Sequence, residues 1–289
     1  MSLYEAVRDA IRAEEEVAMA TLVELTDPAE WEIPPAGGEV MPRLGAKIVV
    51  RPGQTALGTT GDVDLDRVIA RDALAALESG LTGTRHYGRH GQANQREVVV
   101  FVEAFAPPPL MVIFGAVDFT AALARVAKVL GYRVVVCDAR PVFATPARFP
   151  QADEVVVSWP DRYLDTIAGQ LGPRDAVCVL THDPKFDIPA IVAALRTRVG
   201  YLGAMGSRRT HAERTTRLLE AGVAEADLIR VMGPIGLDIG ARTPEETAIS
   251  ICAEIIARRV GGPGPGGATS LRDSRGPIHQ DAAAPSAPD

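Results

Sequence analysis

The chain has 289 residues, a 47% apolar share and a formal charge of −7, enough for one large or two ordinary domains with a sizeable core. The negative balance argues against a dedicated nucleic-acid binder, and no apolar run is long enough for a membrane span. Three cysteines without paired spacing give neither a disulfide nor a zinc framework, and the first residues lack the basic and apolar regions of a signal peptide, so a cytoplasmic location is expected.

Residues 2–15 read as an amphipathic helix, and Glu16 to Leu25 as a strand. A Pro- and Gly-rich stretch over 26–42, which includes Trp31, predicts a long loop. Lys47 to Arg51 is a further strand before a Pro52-Gly53 turn. Asp62 to Glu78 carries helical spacing, and Arg96 to Phe105 is strand-like. His86 and His90 are four apart, but Gly88 between them and the lack of a third ligand nearby speak against a metal site.

Ala106-Pro107-Pro108-Pro109 stiffens the chain and marks a domain boundary. The expected division is an N-terminal α/β domain over 1–105, a second domain over 106–260, and a disordered tail over 261–289. In the second domain, strands at about 110–114, 133–137, 153–157, 175–180 and 199–202 alternate with helices. That alternation predicts α/β architecture with a doubly wound, mainly parallel sheet of Rossmann type. The last helix has a marked start in Thr243-Pro244-Glu245-Glu246: a cap, a proline at the first helical position and a glutamate three after the cap.

Ligands of such sheets bind at the carboxyl ends of the strands. Gly115 follows the first of these strands, and Asp138 ends the second, where a Rossmann unit places the acid that holds a ribose; a cap of the following turn explains Asp138 equally well. The G-x-G-x-x-G positions are Gly115, Val117 and Thr120. A branched side chain at 117 and the charge of Asp118 make an ordinary dinucleotide a poor guest. Arg140 follows Asp138. His182 and Asp183 follow the fourth strand as an acid/base pair, as site-lining groups, or as a plain strand end with Asp183 as a cap. Gly203, Gly206, Ser207 and Arg208, with Arg209, make an anion cradle at a helix start, or a tight turn with Ser207 as its cap. Cys137, Cys178 and Cys252 lie in apolar runs and read as buried and inert, and Trp159 as a packing residue. Pro234 to Ala241 reads as a Gly-punctuated, tightly packed loop.

The run from Met232 to Glu246 resembles the hallmark of the XdhC/CoxI family, accessory proteins of xanthine dehydrogenase and carbon monoxide dehydrogenase. Thr181 to Asp183 with Lys185 to Asp187, Tyr201 to Arg209, Asp138 to Pro141 and, more loosely, Pro42 to Lys47 are similar to the family pattern as well. The resemblance implies a small N-terminal domain and a Rossmann-like C-terminal domain. It implies binding of the molybdenum cofactor (molybdopterin or its nucleotide form), help in its maturation, and delivery to an apo-molybdenum hydroxylase. A sulfur donor protein and a second copy of the chain are the further partners expected. The alternatives are an NAD(P)-dependent oxidoreductase and a non-catalytic assembly partner. The cofactor-binding residues expected are Gly115, Asp138, Arg140, His182, Asp183, Gly203, Gly206, Ser207 and Arg208. Two positions depart from the family pattern: Asp62 stands where it commonly has cysteine, and Val117-Asp118 where it commonly has Gly-His.

Overall fold

The computed structural model describes residues 2–26, 42–93, 95–259 and 270–273. The expected loop over 26–42, with Trp31, falls almost wholly outside them. The chain divides into two compact units between Pro107 and Pro108.

The first unit is an antiparallel sheet with a helix on each face. Its elements are α1 (Leu3–Arg12), β1 (Val17–Leu25), β2 (Lys47–Val50), β3 (Leu57–Gly58), α2 (Val63–Ser79), β4 (Gly83–Tyr87) and β5 (Val98–Phe105), in the sheet order β3-β2-β1-β5-β4. Strand alternation sorts the core. Ala18, Ala20 and Leu22 of β1 face Leu65, Ile69 and Leu77 of α2, whereas Val17 packs with Ala6 and Val7 of α1. Ser2 and Glu5 form a reciprocal capping box on α1. Asp62 caps α2, and Gly80, at φ 67°, closes it. The short β3 and the polar β4 carry no alternating apolar pattern, and the sequence reading missed both.

The second unit is the expected doubly wound fold. It runs β6 (Leu110–Phe114), α3 (Asp118–Val129), β7 (Arg133–Asp138), β8 (Glu154–Val157), α4 (Pro160–Ile167), β9 (Ala176–Val179), α5 (Pro184–Leu195), β10 (Tyr201–Ala204), α6 (Arg208–Glu220), β11 (Val231–Met232) and α7 (Pro244–Arg259). All six strands are parallel, in the order β11-β10-β9-β6-β7-β8. One face packs α3 and α7 through Leu123, Ile251 and Ile255, and the other packs α4, α5 and α6 through Leu164, Ile191 and Leu218. Near-continuous apolar strands follow from burial on both faces. The winding reverses between β6 and β9, so their carboxyl ends flank the topological switch point.

β10 begins two residues later than the sequence suggested, and Gly203 consequently lies inside the strand. Of 261–289, only Ser270–Asp273 is described, and this piece is docked. Ser270 bridges to Leu237, and the Leu271 N–H donates to the Gly236 carbonyl at 2.8 Å. Among the described residues no helix is long and apolar enough to cross a membrane.

Candidate functional site

The first turn at the switch point is filled by the protein itself. Gly115 has φ 108°, and a Cβ there would lie 2.8 Å from Thr181 Cγ2. The glycine therefore serves close packing against the end of β9. The Thr120 hydroxyl donates to the Gly115 carbonyl. Val117 offers α3 no side-chain cap, and the Asp118 side chain is 92% exposed.

Asp138 is buried, and its carboxylate is engaged on every side. It accepts from the Ala116 N–H at 2.8 Å, from the Arg140 N–H at 2.9 Å, and from Arg140 Nε and Nη2 at 2.9 and 2.7 Å. Burial pushes its pKa up, but the Arg140 guanidinium and the two backbone donors outweigh that and hold it below the ordinary carboxylate value. Arg140 is spent in the same two-point pair, with its guanidinium 4.6 Å from the centre of the Phe143 ring. These two expected site residues hold each other. Asp183 caps α5 through the Lys185 N–H and pairs with Lys185 Nζ at 3.0 Å, and these contacts hold its pKa down.

Gly203 has no place in the turn. A Cβ there would lie 2.4 Å from Ile235 Cδ1, so its bareness lets the loop after β11 approach the sheet. Gly206 does lie in the turn, at φ 147°. Ser207 caps α6 by accepting from the Thr210 N–H at 3.1 Å.

A cavity of about 650 Å³ opens beside this turn. The start of α6 supplies Gly206, Ser207, Arg208 and Arg209, and His182 reaches it from the end of β9. Of the nine expected site residues, His182, Gly206, Ser207 and Arg208 thus meet here, whereas Gly115, Asp138, Arg140, Asp183 and Gly203 do not line it. The remaining wall is largely apolar: Phe119 from α3, Met205, and Ile235 and Leu237 from the loop between β11 and α7. Asp238 and Arg242 of that loop add charge. A helix start with arginines beside an apolar wall can hold an anionic group attached to a flat ring.

The β11–α7 loop takes its course from interior contacts. Gly233-Pro234 is cis, and a Cβ on Gly233 would overlap the His211 ring. Burial, then the charges of Arg214 and Arg272, push the His211 pKa down. Glu254 is buried and accepts from the Gly236 N–H at 2.8 Å, the Tyr201 hydroxyl at 2.6 Å and the Ser270 hydroxyl. Burial and the Glu254 charge drive the Tyr201 pKa up. Through these bonds Ser270–Asp273 is held in place, and Leu271 becomes part of the cavity wall.

Residues 111–255, about half of the chain, match the XdhC Rossmann domain. The chain belongs to the XdhC family. It is 36% identical over 160 residues to a Bacillus subtilis protein named as a probable xanthine dehydrogenase component, a match that covers 55% of this chain and 46% of that protein. It is 32% identical over 100 residues to the molybdenum cofactor insertion chaperone PaoD of Escherichia coli, a match that covers 35% of this chain and 31% of that one. The chain therefore spans less than half the length of these curated relatives. A solved xanthine dehydrogenase from Bacillus halodurans aligns over 89% of this chain and 96% of that chain, at 21% identity and a TM-score of 0.48.

In this XdhC chain the hallmark run Met232 to Glu246 is the loop that walls the cavity. The nine residues chosen from strand ends omitted it. Its glycines just before a strongly capped helix were the available signal. The capping box is realised, with Glu246 N–H donating to Thr243 Oγ1 at 3.1 Å and Thr243 N–H to Glu246 Oε2 at 3.0 Å. In the first unit, Asp62 accepts from the Leu65 N–H at 2.8 Å, and its other oxygen lies 2.5 Å from His90 Nδ1. Burial raises the Asp62 pKa, and these two contacts more than reverse the rise. Among the described residues no group of three or more His, Cys, Asp or Glu is placed to hold a metal ion. All three cysteines are buried.

Proposed function

We propose that this chain is an accessory factor that binds the molybdenum cofactor as cargo and assists its maturation and insertion into an apo-enzyme of the xanthine or carbon monoxide dehydrogenase type. The observation that carries this reading is the cavity of about 650 Å³, where the family's hallmark loop faces the arginine-bearing start of α6. Its volume and largely apolar wall suit a pterin, and the helix start suits the phosphate or diphosphate attached to one. Ser207 keeps the first turn of α6 in register, Arg208 supplies a guanidinium for the phosphate, and Phe119 with Ile235 offers apolar surface to the ring. The names of the two curated relatives support the same role. A cytoplasmic setting, a sulfur donor protein and a homodimer belong to this reading.

The dinucleotide alternative finds less support. The acid that would hold a ribose is already bound to Arg140, and the space at Gly115 is taken by Thr181. Calorimetric titration of the full chain with molybdopterin and with its nucleotide form tests the proposal. A dissociation constant well below about 1 mM is expected, weakened about tenfold or more by Arg208→Ala. No saturation near millimolar concentration, or tight binding of NADH at the same cavity, would overturn it.

A further inference from the structure

A second cavity of about 80 Å³ lies between the start of α5 and the inner face of α6, with Asp187, Thr210, Arg214 and Arg217 on its wall and His182 shared with the larger cavity. Arg214 is the unusual member. Its side chain is 3% exposed. Its Nη2 donates to Asp187 Oδ2 at 2.9 Å and to the Met205 carbonyl at 2.7 Å. Its Nη1 is buried without an acceptor among the described residues. A buried cationic N–H with no acceptor is costly, and in native proteins such a group calls for a partner. Arg217 lies three residues on, on the same helical face, and makes no ion pair among the described residues.

The acceptors in this cavity are engaged and donors are left over. Asp187 takes Arg214 on one oxygen and the Thr181 hydroxyl on the other. Glu213 pairs with Arg209 at 2.9 Å. Arg214 Nη1 and the Arg217 guanidinium remain, with His182 at the rim. The space is far below the several hundred Å³ of a usual organic-ligand pocket, but it has room for one small ion. We propose that this cavity is a binding site for a compact tetrahedral oxyanion of the phosphate class, held by Arg214 and Arg217. The site goes beyond the pterin-phosphate cradle at the α6 start, and an anion in it would sit across His182 from the larger cavity.

Calorimetric titration of the full chain with inorganic phosphate tests the site. One site is expected, with a dissociation constant at or below about 1 mM. Arg217→Ala, at an exposed position, is expected to weaken it about tenfold or more. Arg214→Lys, which keeps the charge and loses the planar fork, is expected to weaken it as well. Thermal melting identifies any variant that fails to fold, and Arg217→Ala then decides alone. Absence of saturable binding below about 10 mM overturns the proposal. So does a larger loss in Arg208→Ala than in Arg217→Ala, which would move the phosphate to the start of α6. The molybdenum-cofactor titration reads the other cavity, so either reading can fail alone.

Discussion

Asp138 illustrates how one residue can satisfy a motif and still serve the fold. Its position after β7 fits a ribose-binding acid, and its carboxylate instead joins the Ala116 N–H, across a crossover, to Arg140. The partners keep its folded-state pKa below the ordinary carboxylate value. Its contribution to stability is therefore complete above the ordinary carboxylate range and is lost as the pH falls through the lowered value, below about pH 4. Asp138→Asn is expected to cost about 1–3 kcal/mol at neutral pH and to flatten the acid limb of the stability profile. Urea denaturation across that pH range checks both, and an unchanged acid limb would show that other carboxylates govern it. Gly115 and Gly203 teach the same lesson: each admits a neighbouring protein atom, Thr181 or Ile235, where a motif reading expects a ligand.

At the scale of elements, the cavity is made by pieces from distant parts of the chain. The start of α6 was legible, because Gly-Ser-Arg-Arg after an apolar strand is a strong turn-and-cap signal. The β11–α7 loop was legible as a packed loop but gave no sign of which cavity it would wall. Ser270–Asp273 was illegible, since composition there matches a tail and its few anchoring bonds depend on Glu254 being buried beneath it. Ser270→Ala removes the donor to Glu254 Oε1 and is expected to destabilise the unit by about 1–3 kcal/mol. It should also raise hydrogen exchange at the Leu271 amide, which bonds to Gly236. Unaltered exchange at that amide would mean that the Ser270–Glu254 bond does not hold the segment.

For the whole molecule, all three cysteines belong to the second unit, so thiol chemistry reports on that unit alone. Burial pushes Cys137 and Cys252 up to about 12, and Cys178 well above its ordinary value. At about pH 8, a thiol reagent is expected to label the native chain only through opening of this unit, with rates that rise with urea. Labelling within the mixing time in native buffer would contradict the burial.

From sequence alone came the alternating strands and helices, the proline hinge region, the helix caps and the family's hallmark run. These depend on local periodicity and on steric preferences of single residues, which a linear reading can follow. The tertiary structure decided which strand ends face a cavity, that Asp138 and Arg140 consume each other, and that Arg214 is buried with an N–H to spare. Such outcomes rest on the sheet order β11-β10-β9-β6-β7-β8, which brings side chains far apart in sequence within hydrogen-bond reach. No local pattern encodes which donor meets which acceptor.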